Sequence, residues 1–456
     1  MSHQKPVKTF DYLGKLYVWS LVFEPLIFFV VFDQSIAGIS GNISRLLQLF
    51  VIVLMLLRVL LMHTVIRFPN PFFTYYRWYF LYLFFILAAT FFGLISGAYE
   101  STKEGVQEGV SSFSSTLNSA WVRPAFEYFI AFYYFAYFTI LAQYFLKDKE
   151  AINYFFKIFL GVFFLSFWIG VIDYLLVVLF GYEWIPRRLA DSNVTHVGIR
   201  FHGLAGEPRD AFVYLIFGIG LLYLRDQLYG KNKYTYLWFI ILLVAALLTQ
   251  SASGYVGLTI SLGLILLLQL FRMPVVYLLP SLLILTLIVS VFVINLLDSQ
   301  RLLNYMEMAP LAVKALQQNT DLPDVIQFQI VNIYPIWLRF NDLIQFNFLP
   351  ILMGTGIGSA SVANSVFFSD AGISNPHANI IRIFFEAGII GTLLFLTAFI
   401  QPIRELSLST KTYRSLMFFT LLVLGVNLGH RSSTIFIFLG IALLVFQHKQ
   451  NKLWSK

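Results

Sequence analysis

The sequence predicts an all-α polytopic membrane protein with about twelve transmembrane helices and a long helical extracytoplasmic loop. Three observations lead there. The 456-residue chain is 59% hydrophobic and only 12% charged, with mean hydropathy +0.77, the balance of a bilayer-embedded chain rather than a soluble core. Apolar runs long enough to span a bilayer recur along most of its length. Basic residues are sorted by type between alternate loops. The net charge of +8 therefore belongs to membrane topology and implies no nucleic-acid partner. The absence of cysteine excludes disulfides, thiol chemistry and thiolate-bound metals.

Spans are expected near 16–33, 44–63, 77–98, 124–146, 152–180, 209–224, 236–250, 255–271, 275–296, 378–400, 413–428 and 433–446. The first run, Tyr17 to Phe32, carries no clean cleavage site and reads as a retained helix. The run 209–224 is short, and the two runs flanking Ser251-Ala252-Ser253-Gly254 lie close enough to form one bent segment. An even count puts both termini on one side, assigned to the cytoplasm. That side then holds eleven lysines and six arginines, the opposite side two lysines and ten arginines. The total of 17 to 12 follows the positive-inside rule, yet the arginines run against it. Translocated loops normally avoid positive charge, so guanidinium groups gathered there point to a bound anion.

Residues 1–296 carry spans one to nine, with an arginine-rich outer loop at 181–208. Residues 297–376 form an outer loop of 80 residues (376 − 297 + 1), and 377–456 carry the last three spans. Unstructured loops of that length are uncommon. Leu302, Leu303, Met306 and Leu311, then Ile326, Ile330, Ile333, Trp337, Leu338 and Leu343, mark two amphipathic helices lying on the outer membrane surface. The Ser-, Gly- and Glu-rich segment 99–123 reads as a flexible connection.

Three constellations carry possible chemistry. Between spans five and six stand Arg187, Arg188, His196, Arg200, His202, the turn Gly203-Leu204-Ala205-Gly206, then Glu207, Pro208 and Arg209. Proline at the first turn opens a helix whose N–H groups and dipole suit an anion. Arginines that only reach toward lipid headgroups are the alternative. The second constellation is Gly354-Thr355-Gly356-Ile357-Gly358-Ser359, followed by His377 at the start of span ten. No soluble strand precedes this glycine run and no Gly-Lys-Ser/Thr follows, so a tight turn is expected rather than a nucleotide loop. A neutral imidazole at a helix start beside arginines can serve as a general base; a helix-capping histidine is the plainer reading. Third come the intramembrane charges Glu24, Arg58, Glu127, Lys157, Asp173, Arg382 and Glu386, with Arg382 and Glu386 spaced to pair on one helix face. Arg431 in the last outer hairpin could complete an anion clamp. No metal-ligand pattern and no cofactor motif occurs.

These residues resemble those of the bacterial O-antigen polymerase and O-antigen ligase family. The resemblance rests on the stretch Arg200 to Pro208. It continues with Trp337-Leu338-Arg339, Pro350, Gly354 to Gly358, His377-Ala378-Asn379 and Glu386-Ala387-Gly388-Ile389-Ile390-Gly391, in that order. It implies a membrane glycosyltransferase of GT-C-like fold in the bacterial inner membrane, with its active site on the periplasmic face. The substrate would be an undecaprenyl-pyrophosphate-linked oligosaccharide as donor and as acceptor. On that basis His377 and Arg200 are catalytic, and Arg209, Arg187, Arg188, Glu207, Arg339, Arg382 and Arg431 bind substrate. A flippase and a chain-length regulator are implied partners, with membrane lipid. Ala378 intervenes between His377 and Asn379 where family members often have His-Asn. The segment Thr249 to Gly254 lacks the arginine many members carry. The Gly206-Glu207-Pro208 turn reads as polymerase; a ligase moving finished polymer to lipid A–core is the alternative. Twelve spans also fit a secondary transporter, but transporters bind near the midplane and show repeat symmetry, and here polar groups gather at the outer boundary.

Overall fold

In the computed structural model of the chain, the residues described are 12–26, 30–36, 39–62, 72–99, 122–182, 184–185, 200–270, 343–344, 348–362, 379–406, 408–429 and 431–454. They are mainly helical. Helix α1 spans Tyr12–Phe23 and stops before Glu24 and Pro25. Proline removes a backbone donor and biases its predecessor away from the helical region. The span expected at 16–33 is therefore not one helix. A short antiparallel hairpin follows, β1 Val30–Ile36 and β2 Ile39–Asn42, with Val30 opposite Asn42; β-branched Val30, Val31 and Ile36 suit it.

Then come α2 Ile43–Met62, α3 Phe72–Ile95 and α4 Val122–Phe145, the last containing a π-helical turn at Ala136–Ile140. They are followed by α5 Lys149–Phe180, α6 Pro208–Tyr229, α7 Thr235–Leu248 and α8 Ala252–Leu270. The chain closes with α9 Leu349–Met353, α10 Asn379–Arg404, α11 Thr410–Val426 and α12 Ser433–Trp454. The two runs around Ser251 are separate helices, broken where Gln250 takes a left-handed φ of 49°. The span expected at 275–296 lies outside the described residues, as does most of the loop 297–376.

Among the described residues six helices, α2, α3, α4, α5, α6 and α10, are long and apolar enough to cross a bilayer, which makes the chain a membrane protein. Their exposure agrees. On α2, Leu49, Phe50, Leu56, Leu60 and Leu61 stand exposed, as lipid-facing side chains do. On α5, Leu165, Trp168, Ile172, Leu175 and Leu179 form an exposed stripe at helical spacing, while Phe155, Phe159, Phe163 and Gly170 lie on the buried face. Helix α6 is buried on nearly every side through Leu224 and packs against α7, α11 and α12. Helix α5 ends in a left-handed Gly181, whose N–H bonds Val177 O at 3.0 Å while Tyr182 N–H reaches Leu176 O at 3.3 Å, closing the orphaned carbonyls.

The chain divides into two compact units. The first comprises Met1–Leu83, Phe129–Gly254 and Leu393–Lys456; the second comprises Phe84–Tyr128 and Tyr255–Thr392.

Candidate functional site

In the first unit, the turn after the α5–α6 connection docks onto helix ends. Phe201 N–H donates to Leu248 O at 3.1 Å, satisfying a carbonyl at the end of α7. Arg200, half-buried, donates from Nη2 to Gln250 O at 3.1 Å. His202 is buried, its Nδ1 3.2 Å from Gly203 O and its Nε2 3.6 Å from Asp173 Oδ2. The other Asp173 oxygen accepts Trp184 N–H at 2.9 Å and Ile185 N–H at 2.8 Å. Asp173 thus holds both ends of the α5–α6 connection to the α5 wall, through two charge-assisted bonds on one oxygen and the imidazole beside the other.

The turn Gly203–Ala205 leads through Glu207 to Pro208 at the first position of α6. Arg209 sits in that first turn, and the Glu207 side chain makes no cap hydrogen bond. Next to it begins α8. Ser251 Oγ accepts Gly254 N–H at 3.2 Å, an N-cap contact. Gly254 lies on the Phe212 ring so closely that a Cβ would stand 2.5 Å from Phe212 Cγ. Two helix N-termini therefore lie side by side, with Arg200 held at the opening of one and Arg209 in the first turn of the other. Helix N-termini and guanidinium groups each favour negative charge, so this neighbourhood suits a phosphate-bearing group.

The second unit holds a fully buried charge cluster. Arg123 Nη2 lies 2.6 Å from Glu127 Oε1, and the same oxygen lies 3.1 Å from Arg382 Nη2. Arg382 Nε then donates to Glu386 Oε1 at 3.0 Å, the pairing expected from their spacing. Two cations and two anions balance, which is how a low-dielectric interior tolerates them.

Against this cluster lies the glycine run. Helix α10 breaks at Gly388, whose φ of 62° and ψ of −168° are non-helical. The break releases two carbonyls, and the loop after α9 takes them up. Thr355 N–H donates to Phe385 O and Gly356 N–H to Glu386 O, both at 2.9 Å. Ile357 N–H donates to Thr90 Oγ1 at 3.1 Å. Burial, reinforced by the Glu386 carboxylate, holds the Tyr99 phenol well above its usual range. It stays a donor, to Ile357 O at 2.7 Å. The loop amides are spent on protein acceptors, so the glycine run is a tight turn and not a phosphate loop. Irregular backbone inside a membrane protein needs this satisfaction. Gly354 combines a φ of 82° with a Cβ position 2.3 Å from Glu386 O. Gly354→Ala is expected to lower stability by about 3 kcal/mol or more, read as a drop in the detergent unfolding midpoint.

The structure brings Arg200, Glu207 and Arg209 into one neighbourhood with His202 of the same constellation, and adds Asp173 from the intramembrane charges. Arg382 stands in the buried cluster with Arg123, Glu127 and Glu386. Arg431 lies in the turn before α12, within electrostatic range of Tyr134. Arg187, Arg188, Arg339 and His377 lie outside the described residues.

A further polar network in the first unit escaped sequence reading. Arg45 donates to Gln48 Oε1 and Glu24 Oε1, both at 2.8 Å, and to the Tyr134 hydroxyl at 2.5 Å. Gln48 Nε2 reaches Glu24 Oε2 at 2.6 Å, and Tyr133 donates to Gln48 Oε1 at 2.6 Å. Directly after Tyr134 comes the π turn, where Gly440 of α12 would meet Phe138 O at 3.0 Å if it carried a Cβ. A π turn leaves no trace in apolar periodicity. The intramembrane pair of Glu24 with an arginine was the one available signal.

Fold and site together define a polytopic helical membrane protein with two arginines gathered at paired helix N-termini. No protein-family model, no curated protein and no solved structure matches the chain.

Proposed function

We propose that the chain is a surface-polysaccharide polymerase of the O-antigen kind, working in the bacterial inner membrane on undecaprenyl-pyrophosphate-linked glycan. The observation that carries the reading is the pairing of the α6 and α8 N-termini with Arg200 and Arg209 beside them. In the proposed reaction His377 takes the proton from an acceptor hydroxyl of a lipid-linked repeat. The freed oxygen attacks the anomeric carbon of the donor as its bond to pyrophosphate breaks, with inversion. The leaving pyrophosphate carries the new negative charge, which preorganised guanidinium and N–H groups stabilise. The segment Thr249 to Gly254 lacks the arginine of similar sequences. Here Arg200 reaches its backbone at Gln250 O instead, so the cation comes from the neighbouring turn.

The test is a glycan gel from the native host with the gene deleted. Loss of the ladder, leaving one repeat on the final acceptor, supports polymerase. Loss of all glycan from the acceptor, with long polymer left on the carrier lipid, would make it a ligase. An unchanged ladder overturns both readings for that glycan. Solute uptake into proteoliposomes that Arg200→Ala abolishes would favour a transporter.

A further inference from the structure

At the opposite ends of α5 and α6 from the arginine site, the first unit contains an open cavity of about 510 Å³ between α5, α6 and the start of α7. Its walls divide by chemistry. One end carries Lys157, Arg225 and Asn232; the other carries Gly161, Phe164 and Trp238. The two rings lie 4.5 Å apart, centroid to centroid. Lys157 and Gly161 are exposed, and a Cβ added at Gly161 would meet nothing within 4 Å. Lys157, Gly161, Phe164 and Trp168 follow one another at helical spacing, so the groove continues the exposed, lipid-facing stripe of α5.

Depth matches charge. From Ile158 to the end of α5 the only charged residue is Asp173, over roughly 33 Å of helix, about the thickness of a hydrocarbon core. Lys157 thus stands where headgroups begin. Arg225 follows the uncharged run 211–224 of α6. Its Nη1 lies 3.4 Å from Asp226 Oδ1, and Asp226 Oδ2 accepts Asn232 N–H at 3.4 Å. That carboxylate turns Arg225 and the Asn232 backbone toward each other and leaves the guanidinium one-third exposed, with its other nitrogens available. Tyr229 closes the polar end through a hydrogen bond from its hydroxyl to Asn153 Oδ1.

We propose that this groove binds one anionic phospholipid of the leaflet on the lysine-rich side, its phosphate between Lys157 and Arg225 and an acyl chain along Gly161, Phe164 and Trp238. A basic pocket between membrane helices at the headgroup level fits an anionic lipid by charge, and the apolar extension fits a chain and not a soluble anion. The groove is independent of the arginine site and of the polymerase reading.

The experiment uses the full chain, purified and exchanged into equal parts phosphatidylglycerol and phosphatidylcholine, with retained lipid counted by mass spectrometry. The wild type should hold phosphatidylglycerol in preference. The double variant Lys157→Gln/Arg225→Gln should lose that preference by about twenty-five-fold, about fivefold per cation. Gly161→Leu fills the open wall with a better helix former and should lower retention while leaving both cations in place. Equal retention of the two lipids by the wild type, or a preference untouched by the double variant, overturns the proposal. Displacement of the lipid by inorganic phosphate, with Gly161→Leu without effect, overturns it in favour of a soluble-anion site.

Discussion

Arg200→Ala is expected to lower glycan polymerisation by about 10²–10³-fold while the protein still folds. The effect is large because, in the proposed reaction, charge appears on the leaving pyrophosphate in the transition state, where a guanidinium group stabilises it. Its side chain is half-buried and donates to Gln250 O at 3.1 Å. That bond is worth about 1 kcal/mol, so the unfolding midpoint should move only slightly. Arg200→Lys should fail almost as badly, since an ammonium cannot reproduce the planar fork. His377→Ala separates the roles: turnover should vanish while binding of the lipid pyrophosphate persists, whereas Arg200→Ala should weaken both. In vitro polymer length and binding of radiolabelled carrier lipid measure the two quantities. Near-normal polymerisation by Arg200→Ala would remove Arg200 from the mechanism.

Glu127→Ala is expected to cost about 3–5 kcal/mol and to leave little folded protein. Glu127 Oε1 faces both Arg123 and Arg382, and both guanidinium groups are buried. Removing it takes away the carboxylate that both guanidinium groups face. Arg123→Met/Glu127→Leu deletes one charge of each sign and keeps Arg382 with Glu386, so it should be milder than the single change. Unfolding in mixed detergent and the monodisperse yield after extraction distinguish the outcomes. A single variant as stable as wild type would mean the cluster is solvated. The neighbouring Gly354→Ala should be destabilising by a different route, backbone strain without any change of charge.

Much of the site was legible because it is local. Arg200 through Arg209 is contiguous, and proline after a glycine turn announces a helix start; α6 begins at Pro208 as expected. Arg382 and Glu386 pair because four residues make one helical turn. Other parts were not legible because their partners are distant in sequence. Nothing local ties Glu127 to Arg382, or Glu24 to Arg45. The glycine run read correctly as a turn, but its purpose, filling the carbonyls released where α10 breaks at Gly388, needs both segments in view.

By itself, the sequence determined that this is a membrane protein and where many of its helices begin and end. Those properties follow from hydropathy, proline and charge, which act over a few turns of chain. Only the tertiary structure decided which charges neutralise one another. It set Arg123, Glu127, Arg382 and Glu386 into one buried cluster and placed Arg200 beside two helix N-termini. The physical reason is that the energy of a charge inside a bilayer depends on what stands within a few ångströms of it, and that neighbour is chosen by packing, not by position along the chain.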